Sequence, residues 1–99
     1  MVRSAFSLIP KNSLEQKVQR LKAISHPIRL QIVNILIKGE STVNNLVEKL
    51  GTHQSLMSQQ LNILKISRIL RSRREGNKVF YFIANENVKK LMLSVIKEI

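Results

Sequence analysis

Cysteine is missing from this chain altogether. That excludes disulfides, thiolate metal sites and cysteine redox sensing within its 99 residues. Aspartate is missing too, since all six acidic residues are glutamate. Acid–base or metal-assisted catalysis has little raw material, and no nucleophile elbow, Gly-rich phosphate loop or paired-carboxylate arrangement stands in for it. The composition reads as a non-enzyme that needs no cofactor. No apolar run approaches the ~18 residues required to span a membrane. Met1–Pro10 carries Arg3 but only a short, interrupted apolar stretch, which makes a poor signal peptide. A cytoplasmic protein with no membrane partner is expected.

Negative charge is scarce against what is present: 17 Lys and Arg leave a net charge of +11. A balance of this sign predicts a polyanionic partner, either nucleic acid or an anionic membrane surface. The charge is also clustered. Lys65, Arg68, Arg71, Arg73, Arg74 and Lys78 are opposed over that stretch only by Glu75. A solvated face is the plain alternative for such a run.

The periodicity organises one domain, residues 13–99, behind an N-terminal arm, residues 1–12, that ends in Pro10-Lys11-Asn12. Ser13 is a suitable N-cap for a helix carrying Leu14, Val18 and Leu21 at i, i+4 and i+7. Ser25-His26-Pro27 starts a second helix, with proline where its missing N–H costs nothing. Ile28, Ile32, Val33, Ile35 and Leu36 spread over more than one face of it, as in a buried helix, and Gly39 closes it. Glu40-Ser41-Thr42 reads as a connector or minimal strand. Thr42 then caps a third helix with Leu46, Val47 and Leu50. Gly51 ends that helix, and Thr52-His53 leads into a fourth with Met57, Leu61 and Leu64 as its buried stripe. A short helix, a glycine turn and a second helix form a helix-turn-helix pattern. Ile69–Arg73 and Lys78–Ile83 are strand-like, joined through Glu75-Gly76-Asn77. A last helix from about Asn85 carries Val88, Leu91, Met92, Val95 and Ile96 as a wide apolar stripe. The expected fold is mainly α with a small β-wing, a winged helix-turn-helix.

Three strings sharpen that reading. Leu21-Lys22-Ala23-Ile24-Ser25-His26-Pro27-Ile28-Arg29-Leu30 resembles the opening signature of the ArsR/SmtB family of bacterial and archaeal repressors. Gln54-Ser55-Leu56-Met57-Ser58-Gln59-Gln60-Leu61 is similar to that family's recognition helix, and Arg73-Arg74-Glu75-Gly76-Asn77-Lys78-Val79-Phe80-Tyr81 to its wing. The resemblance covers residues 14–97. It departs from the family where many members hold their sensors. Thr42-Val43-Asn44 stands where metal-sensing members have Cys-Val-Cys, and Asn85, Asn87 and Glu98 stand where others place Asp and His pairs. Asparagine is a poor ligand for a transition metal. The resemblance therefore implies DNA binding and a metal-free protein with no known type of sensor.

On the fourth helix, Ser55, Ser58, Gln59 and Asn62 share a face opposite the apolar stripe. Any surface helix is polar outside, but this face holds no charge before Lys65 and can both donate and accept. Gln and Asn pair bidentately with adenine in the major groove, and Ser suits either base type. Gln54, Ser55, Ser58 and Gln59 are the expected base readers, with Asn62 and Lys65 nearer the phosphates and A·T pairs important in the site. Arg73, Arg74, Asn77 and Lys78 flank the wing turn and suit a minor groove or its backbone. The competing reading is an edge strand blunted by charge. Thr42, at a helix start, is a candidate phosphate contact. His26 and His53, both at helix starts, read as local caps rather than ligands.

The family resemblance and the width of the last stripe imply a two-fold dimer built from Leu14, Val18 and Leu21 with Val88, Leu91, Met92, Val95 and Ile96. Its partner would be double-stranded DNA at a near-palindromic operator, bound by a homodimeric repressor. Two other classes fit less well: a winged-helix protein-interaction module, which would expose apolar anchors, and a sequence-neutral architectural DNA binder driven by charge alone.

Overall fold

The structure is a computed structural model and describes residues 8–98. Most of the expected arm, residues 1–7, lies outside the described residues. Its boundary moves: the first helix, α1, spans Lys11–Ile24, with Pro10 at its N-cap position and no side-chain cap. Proline's φ of −55° and ψ of 143° turn the chain into the helix, and its carbonyl accepts from the Leu14 N–H at 2.8 Å. Ser13 is not the cap. It sits inside the first turn, where its Oγ accepts from Lys17 Nζ at 2.8 Å.

The second helix, α2, runs Pro27–Ile37 and buries Ile32, Val33 and Leu36. His26 caps it, Nδ1 accepting from the Ile28 N–H at 3.2 Å. After β1 (Ser41–Thr42), α3 spans Val43–Leu50, and Thr42 Oγ1 caps it by accepting from the Asn45 N–H at 3.2 Å. Gly51 closes α3 with φ of 64°. A Cβ there would meet nothing within 4 Å, so the dihedral and not crowding asks for glycine.

The fourth helix, α4 (Gln54–Ile66), buries Met57, Leu61 and Leu64 completely. Each such side chain contributes about 2 kcal/mol of transfer free energy, enough to pin one face of the helix. Its C-terminus takes a Schellman form. The Arg68 N–H donates to the Lys65 carbonyl at 3.0 Å and the Ile69 N–H to the Leu64 carbonyl at 3.0 Å. The left-handed position, φ of 63°, is filled by Arg68 instead of the usual glycine. This closure consumes Ile69, so the first wing strand starts one residue later than its composition suggests.

The wing pairs β2 (Leu70–Glu75) with β3 (Lys78–Ile83), antiparallel from Leu70↔Ile83 to Glu75↔Lys78. The two-residue turn, Gly76-Asn77, has positive φ at its first position alone, 65° at Gly76, which is the II′ arrangement. β1 adds to the other side of β3 through Ser41↔Tyr81 and Thr42↔Phe80. The sheet order is β1-β3-β2. The chain's best β-forming run thus occupies the centre, and the arginine-rich strand lies on an edge.

The last helix, α5 (Glu86–Glu98), is capped by Asn85, whose Oδ1 accepts from the Val88 N–H at 2.9 Å. It packs on α2 and β3. Val88 and Met92 point that way and are buried in the protomer's own core, so they are not available as the dimer contacts expected of them. Val95 and Ile96 are half-buried against the same core. Leu91 remains 50% exposed, and on α1 Leu14, Val18 and Leu21 are 44%, 39% and 60% exposed. No helix among the described residues is long and apolar enough to cross a membrane.

Candidate nucleic-acid interface

The α3–α4 turn sets the direction of the polar helix. With Gly51 left-handed, its N–H and that of Thr52 both donate to the Val47 carbonyl, at 2.9 and 3.3 Å. The chain reverses tightly, and His53 takes the N-cap of α4, Nδ1 accepting from the Leu56 N–H at 3.3 Å. An Nδ1 that accepts leaves the proton on Nε2. The exposed ring therefore presents an N–H donor at the start of α4. Ser55 Oγ lies 3.0 Å from the same Nδ1. The Ser55 hydroxyl, exposed beside it, can both donate to and accept from a base edge.

Four of the residues expected at the DNA come together. Thr42, Gln54, Asn77 and Lys78 line one open cleft of about 300 Å³, with Asn44 and Val79. It joins the N-terminal turns of α3 and α4 to the wing tip. Beside it, Ser55, Ser58, Gln59 and Asn62 are exposed along α4, while Gln60 is turned inward. Sequence reasoning misses Asn44 because its position also reads as a replaced metal ligand. Its place two residues after the Thr42 cap already put it in the first turn of α3, beside the cleft.

Arg73 and Arg74 alternate across β2 and part company. Arg73 reaches back to Glu40, ahead of β1, in a bidentate pair: Nη1 engages Oε2, and Nη2 donates to Oε1 at 2.8 Å. Glu75 Oε2 also accepts from Nη2 at 3.3 Å, and the guanidinium stacks 4.8 Å from the Phe80 ring centroid. The hydrogen bond from Arg73 holds the Glu40 carboxyl below the usual carboxylate range, and the same bond raises the Arg73 guanidinium further above its ordinary value. The charge of Arg73 is thus answered within the protein. Arg74 and Lys78 carry no such partner among the described residues and remain exposed. Lys65 stands apart from the wing tip, at the far end of α4 with Arg20, Arg68 and Arg71.

A polar clamp adds to the apolar burial that places α4. Arg29 of α2 donates from Nε to the Ala23 carbonyl at 2.5 Å and from Nη1 to Gln60 Oε1 at 2.7 Å. It ties the end of α1 to the inner face of α4. No group of three or more His, Cys, Asp or Glu side chains is placed to hold a metal ion among the described residues.

Comparison with known proteins agrees with this geometry. Residues 26–72 match the family described as bacterial regulatory protein, arsR family. The biofilm growth-associated repressor of Xylella fastidiosa is 38% identical over 72 residues, which cover 73% of this chain and 63% of that protein. The chain therefore spans somewhat less than two thirds of that relative. The repressor of the same name from Agrobacterium fabrum is 34% identical over 88 residues, 85% of this chain and 75% of that one. Among solved structures, the homodimeric winged helix-turn-helix DNA-binding domain Mb0332 of Mycobacterium bovis superposes with a TM-score of 0.84 at 30% identity, covering 97% of this chain and 87% of that one. HlyU from Vibrio cholerae gives 0.79 at 32% identity, over 92% of this chain and 100% of that one.

Proposed function

Because the chain belongs to the arsR family of bacterial regulatory proteins, we propose that it is a cytoplasmic, homodimeric repressor of transcription that reads a specific double-stranded DNA sequence. The observation that carries this reading is the cleft shared by Thr42, Gln54, Asn77 and Lys78. It sets the start of a helix with an uncharged, hydrogen-bonding face beside a cationic β-turn. The α4 face enters the major groove, with Gln54, Ser55, Ser58 and Gln59 on base edges. Arg74, Asn77 and Lys78 hold the adjacent backbone or minor groove, and Thr42 and Asn62 lie against phosphates.

A single protomer of this kind reads only a few base pairs. The exposed Leu14, Val18, Leu21 and Leu91 supply a face for a second copy. A two-fold pair would set its recognition helices about 34–36 Å apart on a near-palindromic operator.

The experiment is selection of bound sequences from a random double-stranded pool, followed by salt titration on the selected site and on scrambled DNA. A reader returns an inverted repeat bound on the order of 10³-fold tighter than scrambled sequence at moderate salt. A protein that binds every sequence alike, through its net charge of +11 alone, returns no motif and the same salt slope on both DNAs.

A further inference from the structure

The polar helix and the wing diverge from the cleft and meet again at their other ends. From Gln54 to Lys65 the α4 axis advances about 16 Å, and from Glu75 back to Arg71 the strand advances about 13 Å. There the two elements, with α1 and the start of α5, enclose an open recess of about 550 Å³. Arg20, Lys65, Arg68 and Arg71 line it, with Ser72 and Asn85. No carboxylate lines the recess among the described residues, and none of the four cations is in an ion pair there.

We infer that this recess is a binding site for a small phosphorylated anion. Plain explanations cover part of the cluster. Lys65 lies in the last turn of α4, where a cation complements the helix dipole, and Arg71 protects an exposed sheet edge. Neither explains Arg68. It occupies the left-handed position of the α4 cap at φ of 63°, where a side chain is strained and glycine is not. The strained backbone aims a third guanidinium at a recess that Arg20 and Arg71 already share. Arg20 leans on the end of α4 by a long contact, its Nε donating to the Ser67 carbonyl at 3.4 Å. Asn85 spends its carbonyl on the Val88 N–H and keeps its amide N–H donors.

Three guanidinium forks, an ammonium and neutral donors, with no acceptor charge, suit a group that offers several anionic oxygens to be bound at once. Concavity and distance from the cleft favour a compact ligand over the phosphates of the DNA read by Gln54 and Lys78. A bound anion would tie α1, an exposed-face helix, to the end of α4. It is thereby placed to alter how the reading helix is held. Occupancy of the recess stands apart from the DNA-reading proposal, whereas its effect on DNA affinity rests on it.

Pyrophosphate is the probe, titrated into the full chain without DNA and followed by amide NMR in a phosphate-free, low-salt buffer. Shifts are expected at Lys65, Arg68, Arg71 and Arg20, and Arg68→Gly/Arg71→Ser should weaken binding by on the order of tenfold or more. Shifts centred on Gln54, Asn77 and Lys78, or equal binding by the double variant, overturn the site. Lys65→Gln, a change on an exposed helical position, gives the same reading should the double variant fold poorly. On selected DNA without pyrophosphate, the double variant should keep the parent salt slope. A slope shallower by about 0.9 for each removed charge would make these residues DNA-phosphate contacts and overturn the small-anion reading.

Discussion

Arg29 Nη1 donates to Gln60 Oε1 at 2.7 Å, joining the second helix to the inward face of the helix that presents Gln54–Gln59. The same guanidinium holds the Ala23 carbonyl at the end of α1. One side chain thus sets α1, α2 and α4 against each other. Its removal leaves a buried amide and a carbonyl without their charged donor. Arg29→Ala is expected to cost about 2–3 kcal/mol, read as a lower urea midpoint at unchanged m-value.

The Glu40–Arg73 pair makes a pH prediction. Glu40 titrates below its ordinary value in the folded protein because Arg73 hydrogen-bonds its charged form. A depressed folded pKa contributes stability above the unfolded value, about 4.3 for glutamate, and that contribution is lost as pH falls through the lower folded value. A carboxyl NMR titration should place the Glu40 midpoint below the ordinary glutamate range, and Arg73→Ala should return it to that range. The same commitment separates two neighbours on β2: Arg73→Ala should weaken DNA binding less than Arg74→Ala.

Base readers and phosphate holders respond differently to truncation. Gln59→Ala should lose about 1–3 kcal/mol on the selected sequence and little on scrambled DNA. Lys78→Ala should weaken both alike and flatten the salt slope by about 1. A uniform loss for Gln59→Ala in competition binding would remove it from the base-reading set.

Arg68 at φ of 63° is a site where a deletion should stabilise. Arg68→Gly keeps both closing hydrogen bonds of α4 and relieves the left-handed strain, for a gain of about 1 kcal/mol in thermal or chemical denaturation. A loss of stability would show that the arginine side chain holds the cap by contacts of its own.

The exposed α1 stripe should behave as an interface and not as core. Leu21, 60% exposed in the protomer, can be changed to Glu without opening the core. Leu21→Glu is expected to give a folded monomer by sedimentation, with circular dichroism unchanged and binding to the selected inverted repeat lowered more than binding to a half-site.

The order of elements was legible in the sequence because each carries its own local signal. Gly51 marks the helix-turn-helix reversal, Thr42 and His53 mark helix starts, and Lys78–Ile83 is an unbroken β-forming run. Backbone preference and side-chain period act over a few residues and need no partner to be read. The exposed polar set Gln54, Ser55, Ser58 and Gln59 followed from the same period, since the opposite face had to be buried. The cap of the first helix lies three residues before the expected Ser13, at Pro10, because serine's capping preference is a local signal that proline's fixed φ overrides here. Only the completed backbone shows that the Pro10 carbonyl takes the first bond.

What only the tertiary structure decided is which side chains meet across distance. Glu40 and Arg73 lie far apart in the chain, and nothing local says that this arginine is neutralised while Arg74 is left open. Val88 and Met92 belong to the same apolar stripe as Leu91, yet α2 and β3 cover the first two and leave the third outside. Arg20 is brought to Lys65, Arg68 and Arg71 by the packing of α1 on α4. Sequence determines local conformation and the sign of the charge through short-range sterics and composition. Partnership, exposure and the two separate basic faces depend on long-range packing, which only the fold supplies.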